Sequence, residues 1–209
     1  MALVGGVLAC PLLAALAVLV LVVDRQPPLV GLPRVGRAGT TFTLWKLRTM
    51  RADPHDGRAF TVHDDERVTR LGRLLRRYRV DELPQLWNVV RGDMALLGPR
   101  PESPAYVAGD GSWDAVLASP PGIAGPTQVV VHGWEARLGS ATAYRREVLP
   151  RKLEVDRWYV SHASPAVDLD VLRSLLRSVR DPDTPTAVHR RLAVALPDTM
   201  AAIAAGTAS

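Results

Sequence analysis

Asp81-Glu82-Leu83-Pro84-Gln85-Leu86-Trp87-Asn88-Val89-Val90-Arg91-Gly92-Asp93-Met94, running on into Gly98-Pro99-Arg100-Pro101-Glu102, is the stretch that organises the rest of the chain. Leu83, Leu86, Trp87 and Val90 recur at helical spacing, Asp81 stands where an N-cap would, Pro84 is tolerated in a first turn, and Gly92 suits a helix end. The spacing predicts a short buried helix with Trp87 in the core and two adjacent carboxylates at its N-terminus. That end of a helix carries unpaired N–H groups and partial positive charge, which favour phosphate and keep a carboxylate ionised. An acidic pair at a helix start is also an ordinary cap, so the pair alone does not decide.

Immediately upstream, Val68 to Arg79 reads as an amphipathic helix with Leu71, Leu74, Leu75 and Tyr78 on one face and arginines elsewhere. Such a helix suits anionic lipid or nucleic acid. No DNA- or RNA-binding motif accompanies it, and an apolar N-terminus favours the membrane surface. Further back, Thr41 to Trp45 reads as a strand after the basic turn Arg34 to Thr40, and Lys46 and Arg48, two apart, are expected on one strand face. Two cations on one face can grip a diphosphate. The Asp- and His-rich piece from Arg51 to Asp65 has no recurring metal-ligand spacing and reads as a solvated loop. Arg100, between Pro99 and Pro101, offers a forked donor on a stiff backbone.

Downstream, Pro120 to Val129 reads as a rigid loop leading to a strand. Pro150 to Val160 and Pro165 to Val179 read as helices whose packing faces come from Leu153, Trp158, Tyr159, Leu169, Leu172, Leu175 and Leu176. The tail from Thr186 suggests one more amphipathic helix and then disorder.

Ala2 to Val23 is almost wholly apolar and uncharged. At about 1.5 Å per residue it is long enough for a hydrocarbon core of about 30 Å. It has neither the basic start nor the small-residue cleavage pattern of a signal peptide, so a membrane-embedded helix is expected, kinked at Pro11. The chain of 209 residues suits one domain. Its net charge of +5 comes mostly from arginine, since Lys46 and Lys152 are the only lysines. That balance fits nucleic acid, anionic lipid or phosphorylated substrates. Cys10, the single cysteine, has no internal disulfide partner, which suits a reducing, cytosol-facing globular part.

DELPQLWNVVRGDMALLGPRP resembles the signature of the bacterial sugar transferase family, the monotopic phosphoglycosyl transferases that move a sugar phosphate onto a polyprenol phosphate. Trp45-Lys46-Leu47-Arg48-Thr49-Met50, Leu71-Gly72-Arg73-Leu74-Leu75-Arg76, Pro121-Gly122-Ile123-Ala124-Gly125, and Trp158-Tyr159-Val160 with Asp168-Leu169 are similar to further family elements in the family's order. Several positions depart from the pattern, among them Trp134, where the family's Arg is missing. Cys10-Pro11 stands for a Ser-Pro break, Arg79 replaces a small residue, and His132 replaces an Asn.

The resemblance implies an α/β fold, mostly helical with a small β element. Residues 1–25 would form a re-entrant membrane helix broken at Cys10 and Pro11, with a spanning helix as the competing topology. Residues 26–180 would be the catalytic domain and 181–209 a tail. It implies a nucleotide-sugar donor, a UDP-sugar being the expected form, and a polyprenol phosphate acceptor. Asp81 would be the nucleophile in a ping-pong scheme, and Glu82 would either position a metal or deprotonate the acceptor. Mg²⁺ would be held by Asp81 and Glu82, with Lys46, Arg48, Arg76 and Arg100 on the phosphates. The expected place is the inner face of a bacterial cytoplasmic membrane, in surface glycan or exopolysaccharide synthesis, with no nucleic acid partner and a homodimer left open. The rival reading is a catalytically inactive, membrane-tethered basic scaffold or binding relative.

Overall fold

The structure, a computed structural model, describes residues 2–51, 65–107, 109, 111–131, 134, 138, 140–181 and 184–208. Among the described residues it is mostly helical, with two small two-stranded sheets. The N-terminal helix α1 (Ala2–Val23) runs through Cys10 and Pro11 as one helix. Its Val20 is fully buried against Leu47 and Leu75, and Thr69 Oγ1 donates to Asp24 just past its end, so the helix is docked on the body. Among the described residues no helix is long and apolar enough to cross a membrane.

The hairpin expected around the basic turn is present: β1 (Leu29–Val35) pairs antiparallel with β2 (Thr41–Leu47), Leu29 facing Leu47 and Val35 facing Thr41. Pro33 sits inside β1 because a two-stranded ribbon has an outer edge that needs no N–H from it. The strand β2 ends at Leu47, one residue short of Arg48. Helix α2 (Arg70–Arg77) is capped by Thr69, whose hydroxyl accepts from the Gly72 N–H. A Cβ at Gly72 would lie 2.1 Å from the Thr49 carbonyl oxygen, so only glycine lets α2 lie this close to the chain leaving β2.

After α2 the chain turns at Arg79, in the left-handed region (φ 55, ψ 20), into a 3₁₀ turn, Val80–Glu82. Helix α3 (Gln85–Arg91) starts only after Pro84 and ends at left-handed Gly92. Asp81 is therefore not the cap of α3 but the middle of the preceding turn. The expectation of a buried apolar face is also overturned. Trp87 is 57% exposed and Val90 faces solvent, whereas Gln85 and Asn88 are 0% and 1% exposed. The interior face of α3 is polar because it lines the site and joins the hairpin: Asn88 Nδ2 donates to the Thr43 carbonyl (2.8 Å) and its Oδ1 accepts from the Trp45 N–H (3.2 Å).

The strands β3 (Ala95–Leu97) and β4 (Gly122–Ala124) pair in parallel. A Cβ on Gly122 would lie 2.2 Å from the Gly98 nitrogen, which explains the glycine at this approach. Beyond α4 (Asp114–Leu117) and β4, the chain forms the one-turn helix α5 (Thr127–Val130) where a strand was expected. A turn at Ala141–Ala143 and a widened π turn at Tyr144–Val148 lead into α6 (Leu149–His162), followed by α7 (Pro165–Arg180), α8 (Ala187–Ala195) and α9 (Pro197–Ala208). The tail is thus two helices, and its alanines continue α9 to Ala208, alanine being the best helix former. The main core gathers Val148 from the π turn and Val155, Tyr159, Val171, Val188, Leu192 and Ile203 from α6 to α9. In α7 the buried residues are Val167, Val171, Ser174 and Leu175, while Leu169, Leu172 and Leu176 are exposed, a correction to the expected packing face.

Candidate active site

The turn Val80–Glu82 sets its two acidic side chains in different surroundings. Glu82 is held on several sides. Arg100 Nη2 donates to Oε1 at 2.6 Å and Nη1 to Oε2 at 3.4 Å, a forked contact, and Lys46 Nζ donates to Oε1 at 3.2 Å. Gln128 Nε2 approaches Oε2 at 3.5 Å. Burial works to raise the Glu82 pKa, but Arg100 and Lys46 more than offset it, and the group is pushed down to about 2.

Asp81 is buried and, among the described residues, its carboxylate has no hydrogen bond and no ion pair. Burial raises its pKa above the ordinary range, opposed by the charges of Lys46, Arg76 and Arg100. Adjacent carboxylates driven in opposite directions mark a division of roles between them. Lys46 is lowered by burial, with Glu82 opposing.

Each cation is placed by its own element. Lys46 projects from β2, beside the Trp45 N–H that Asn88 fixes. Arg76, on α2, donates from Nε to Thr49 Oγ1 at 2.8 Å and lies in the field of Asp81 without pairing with it. Arg100 is held by the Ile123 carbonyl (3.0 Å) and by Gln85 Oε1 (3.3 Å), so β4 and the inward face of α3 aim its fork at Glu82. Arg48 is not brought to this cluster: its guanidinium donates to the carbonyls of Pro27 (2.9 Å) and Leu29 (3.5 Å). The strand-face argument for it fails because β2 has already ended. Asp93 serves α3 itself, accepting from Asn88 Nδ2 (3.1 Å) and lying 3.6 Å from Arg91 Nε.

Three participants were not read as site residues from the sequence. Gln85 was legible only as the residue four after Asp81, hence on the same side of a helical turn, but the apolar pattern pointed the other way. Gln128 Oε1 accepts from the Gly125 N–H (2.8 Å) while its amide nitrogen reaches Glu82, and its carbonyl accepts from Arg79 Nη2 (3.3 Å). Arg79 was noted only as a departure in local charge. Two buried polar atoms, Gln85 Nε2 and Thr127 Oγ1, lack partners among the described residues. His132 and residues 52–64, including His55 and His63, lie outside the described residues. Among the described residues no cluster of three or more His, Cys, Asp or Glu forms a metal cage.

Among the described residues the site is thus a cluster of cations around one carboxylate without a hydrogen-bond partner, Asp81, and one fully engaged, Glu82. The model of the family described as "Bacterial sugar transferase" matches residues 1–181, and the chain belongs to that family. It is 34% identical over 178 residues to the UDP-N-acetylgalactosamine-undecaprenyl-phosphate N-acetylgalactosaminephosphotransferase of Aeromonas hydrophila, covering 81% of this chain and 39% of that one. It is 37% identical over 179 residues to the UDP-glucose:undecaprenyl-phosphate glucose-1-phosphate transferase of Caulobacter vibrioides, covering 83% and 64%. It is 36% identical over 183 residues to the UDP-galactose-lipid carrier transferase of Erwinia amylovora, covering 77% and 35%. The chain therefore spans less than two thirds of each of these relatives.

Proposed function

We propose that this protein transfers a sugar 1-phosphate from a UDP-sugar to a polyprenol phosphate through a covalent intermediate on Asp81, as the first membrane step of surface glycan or exopolysaccharide synthesis. The observation that carries this reading is the contrast between the two acids. Glu82 is consumed by Arg100 and Lys46, while Asp81 keeps unbonded oxygens beside the same cations. An Asp81 oxygen attacks the sugar-bearing phosphorus, an O–P bond forms, and the bond to the nucleotide phosphate breaks with its electron pair staying on UMP. A phosphate oxygen of the polyprenol phosphate then attacks the same phosphorus and releases the Asp81 carboxylate. Lys46, Arg76 and Arg100 neutralise charge on the phosphoryl oxygens during both steps.

Of the two roles expected of Glu82, positioning a metal or deprotonating the acceptor, the second is the less suited to this site, where Glu82 is bound by Arg100 and Lys46. A carboxylate pushed down to about 2 is a weak proton acceptor. A phosphomonoester with a second pKa of about 6 is already mostly dianionic at neutral pH and needs no base.

The acidic pair fits Mg²⁺ in part. This ion typically takes one or two protein carboxylates and completes its shell with phosphate and water. The free oxygens of Asp81 suit it, whereas Glu82 would have to release a cation partner. When bound, Mg²⁺ would supply neutralisation of the diphosphate.

Membrane attachment on the cytoplasmic face belongs to the same proposal, with α1 embedded from one side in the bilayer. Its support is the set of apolar side chains left in solvent on adjoining elements: Val18, Leu21 and Val22 of α1, Leu74 of α2, Tyr78 just after it, and Trp87 of α3. Scattered exposed apolar residues are ordinary, but so many on neighbouring helices support the reading of a lipid-facing surface. The test is an Asp81→Asn variant assayed for UMP release from UDP-glucose, UDP-galactose and UDP-N-acetylgalactosamine with Mg²⁺ and a short polyprenol phosphate. Release falls to background if the reading is right, and unchanged release ends it.

A further inference from the structure

The hydrogen bonds give the cationic cluster two ends. At one, Lys46 reaches Glu82 Oε1 and is the cation that Asp81 feels most strongly, with Arg76 the next cation. At the other, Gln128 reaches Glu82 Oε2, and Arg79 is tied to the Gln128 carbonyl. Arg100 forks across both oxygens between them. The arginine at the far end sits on a left-handed backbone (φ 55, ψ 20), a conformation that glycine or asparagine adopts more readily. Its guanidinium carries five N–H donors, of which one bond, to Gln128, is made among the described residues. A long, charged side chain kept on an unfavourable backbone and largely unsatisfied beside an acidic pair points to a ligand that it completes.

Among the described residues, Lys46, Arg76, Arg79 and Arg100 surround Asp81 and Glu82, leaving two positive charges uncompensated, matched by the two negative charges of a nucleoside diphosphate sugar. Resting on the reading that Asp81 is the nucleophile, the phosphate to be transferred lies at the Lys46 and Arg76 end. We infer that Arg79 is a phosphate-binding residue for the other phosphate, the one that leaves as the nucleoside monophosphate, with Gln128 holding its guanidinium at the Glu82 Oε2 end. Neither the family resemblance nor the relatives' names assign Arg79 this task. It makes the departure at position 79 a gain of donor contact rather than a defect.

The experiment is calorimetric titration of UMP into the full chain in detergent, comparing wild type with Arg79→Gly, Arg79→Asn and Arg79→Lys. Glycine and asparagine keep the left-handed turn and remove the charge, so UMP binding weakens about ten-fold, the loss of one charge-assisted hydrogen bond. Lysine keeps the charge without the fork and weakens it about three-fold. Thermal midpoints do not fall, since glycine and asparagine suit the left-handed turn, and the KM for polyprenol phosphate stays at its wild-type value, whereas a merely structural role would lower the one or move the other. Wild-type UMP affinity in whichever uncharged variant folds overturns the inference and leaves the reading of Asp81 standing. A wild-type chain that binds neither UMP nor a UDP-sugar overturns that reading first, and this inference with it.

Discussion

Helices α3 and α7 both turn large apolar side chains to solvent, and they do so for opposite reasons. In α7 the inside is aliphatic as well: Val167, Val171 and Leu175 are buried while Leu169, Leu172 and Leu176 are exposed. Apolar residues occupy both sides of that helix, so its leucine spacing could not say which side faces in. In α3 the inside is polar. Gln85 and Asn88 are sealed in the interior, where Gln85 steadies Arg100 and Asn88 stitches the hairpin to the helix. The hydrophobic effect orders α7, whereas α3 is ordered by the hydrogen bonds of Gln85 and Asn88, with its apolar face left exposed.

The comparison can be broken at several points, beginning with the largest effect. Lys152 on α6 is buried and paired with Glu102, whose other oxygen contacts are Tyr144 Oη at 2.8 Å and the Ser103 N–H at 2.9 Å. Lys152→Met removes one member of a buried pair and is expected to cost about 3–5 kcal/mol of folding stability at neutral pH by denaturant titration. Burial works to raise the Glu102 pKa, but Lys152 and these hydrogen bonds hold it below its ordinary 4.5. A depressed carboxylate contributes stability that is present above the ordinary value and lost as pH falls through the folded one. Without Lys152, burial, the largest influence, is opposed only by the Ser103 and Tyr144 hydrogen bonds, and the Glu102 pKa rises. The gap between variant and wild type therefore begins to narrow above the ordinary value of 4.5, as the variant's raised Glu102 takes up its proton, and goes on narrowing until pH falls through the depressed wild-type pKa.

Next comes Leu192, fully buried in the C-terminal core, where Leu192→Ala should cost about 2–5 kcal/mol by the same titration. Asn88→Ala tests the polar interior of α3. It leaves the Trp45 N–H and the Thr43 carbonyl without their partner, and a loss of about 1–3 kcal/mol is expected. Trp87→Ser is the smallest for folding, within about 0.5 kcal/mol in detergent. Yet it should weaken binding to vesicles of anionic phospholipid in a flotation assay, whereas Leu172→Ser in α7 should leave flotation unchanged.

Much of the site was legible because chemistry-bearing residues sit in short, ordered strings. Asp81 with Glu82, Lys46, Arg76 and Arg100 do converge, although they come from a turn, a strand, a helix and a loop. The hairpin and helices α6 and α7 were also readable from turn residues, prolines and periodicity. The direction in which α3 faces was not, because the apolar pattern says only that one side is apolar and not whether protein or lipid covers it. Arg48 was misplaced because a two-residue spacing holds only while the strand lasts. Gln128 was invisible because its role depends on β3 and β4 pairing in parallel, a long-range contact that local sequence does not encode. The second tail helix was missed because alanine and glycine suggest disorder until the tail folds back, as it does here, placing Ile203 of α9 in the core.

The central claim is that Asp81 carries the sugar phosphate between donor and lipid. Intact-protein mass measurement tests it most directly, after incubating the chain with Mg²⁺ and each of the three UDP-sugars without acceptor. The account predicts a mass gain of one sugar phosphate with the donor that is used, discharged on adding polyprenol phosphate and absent in Asp81→Asn. Continued sugar-phosphate transfer to the lipid by the Asp81→Asn chain would contradict it.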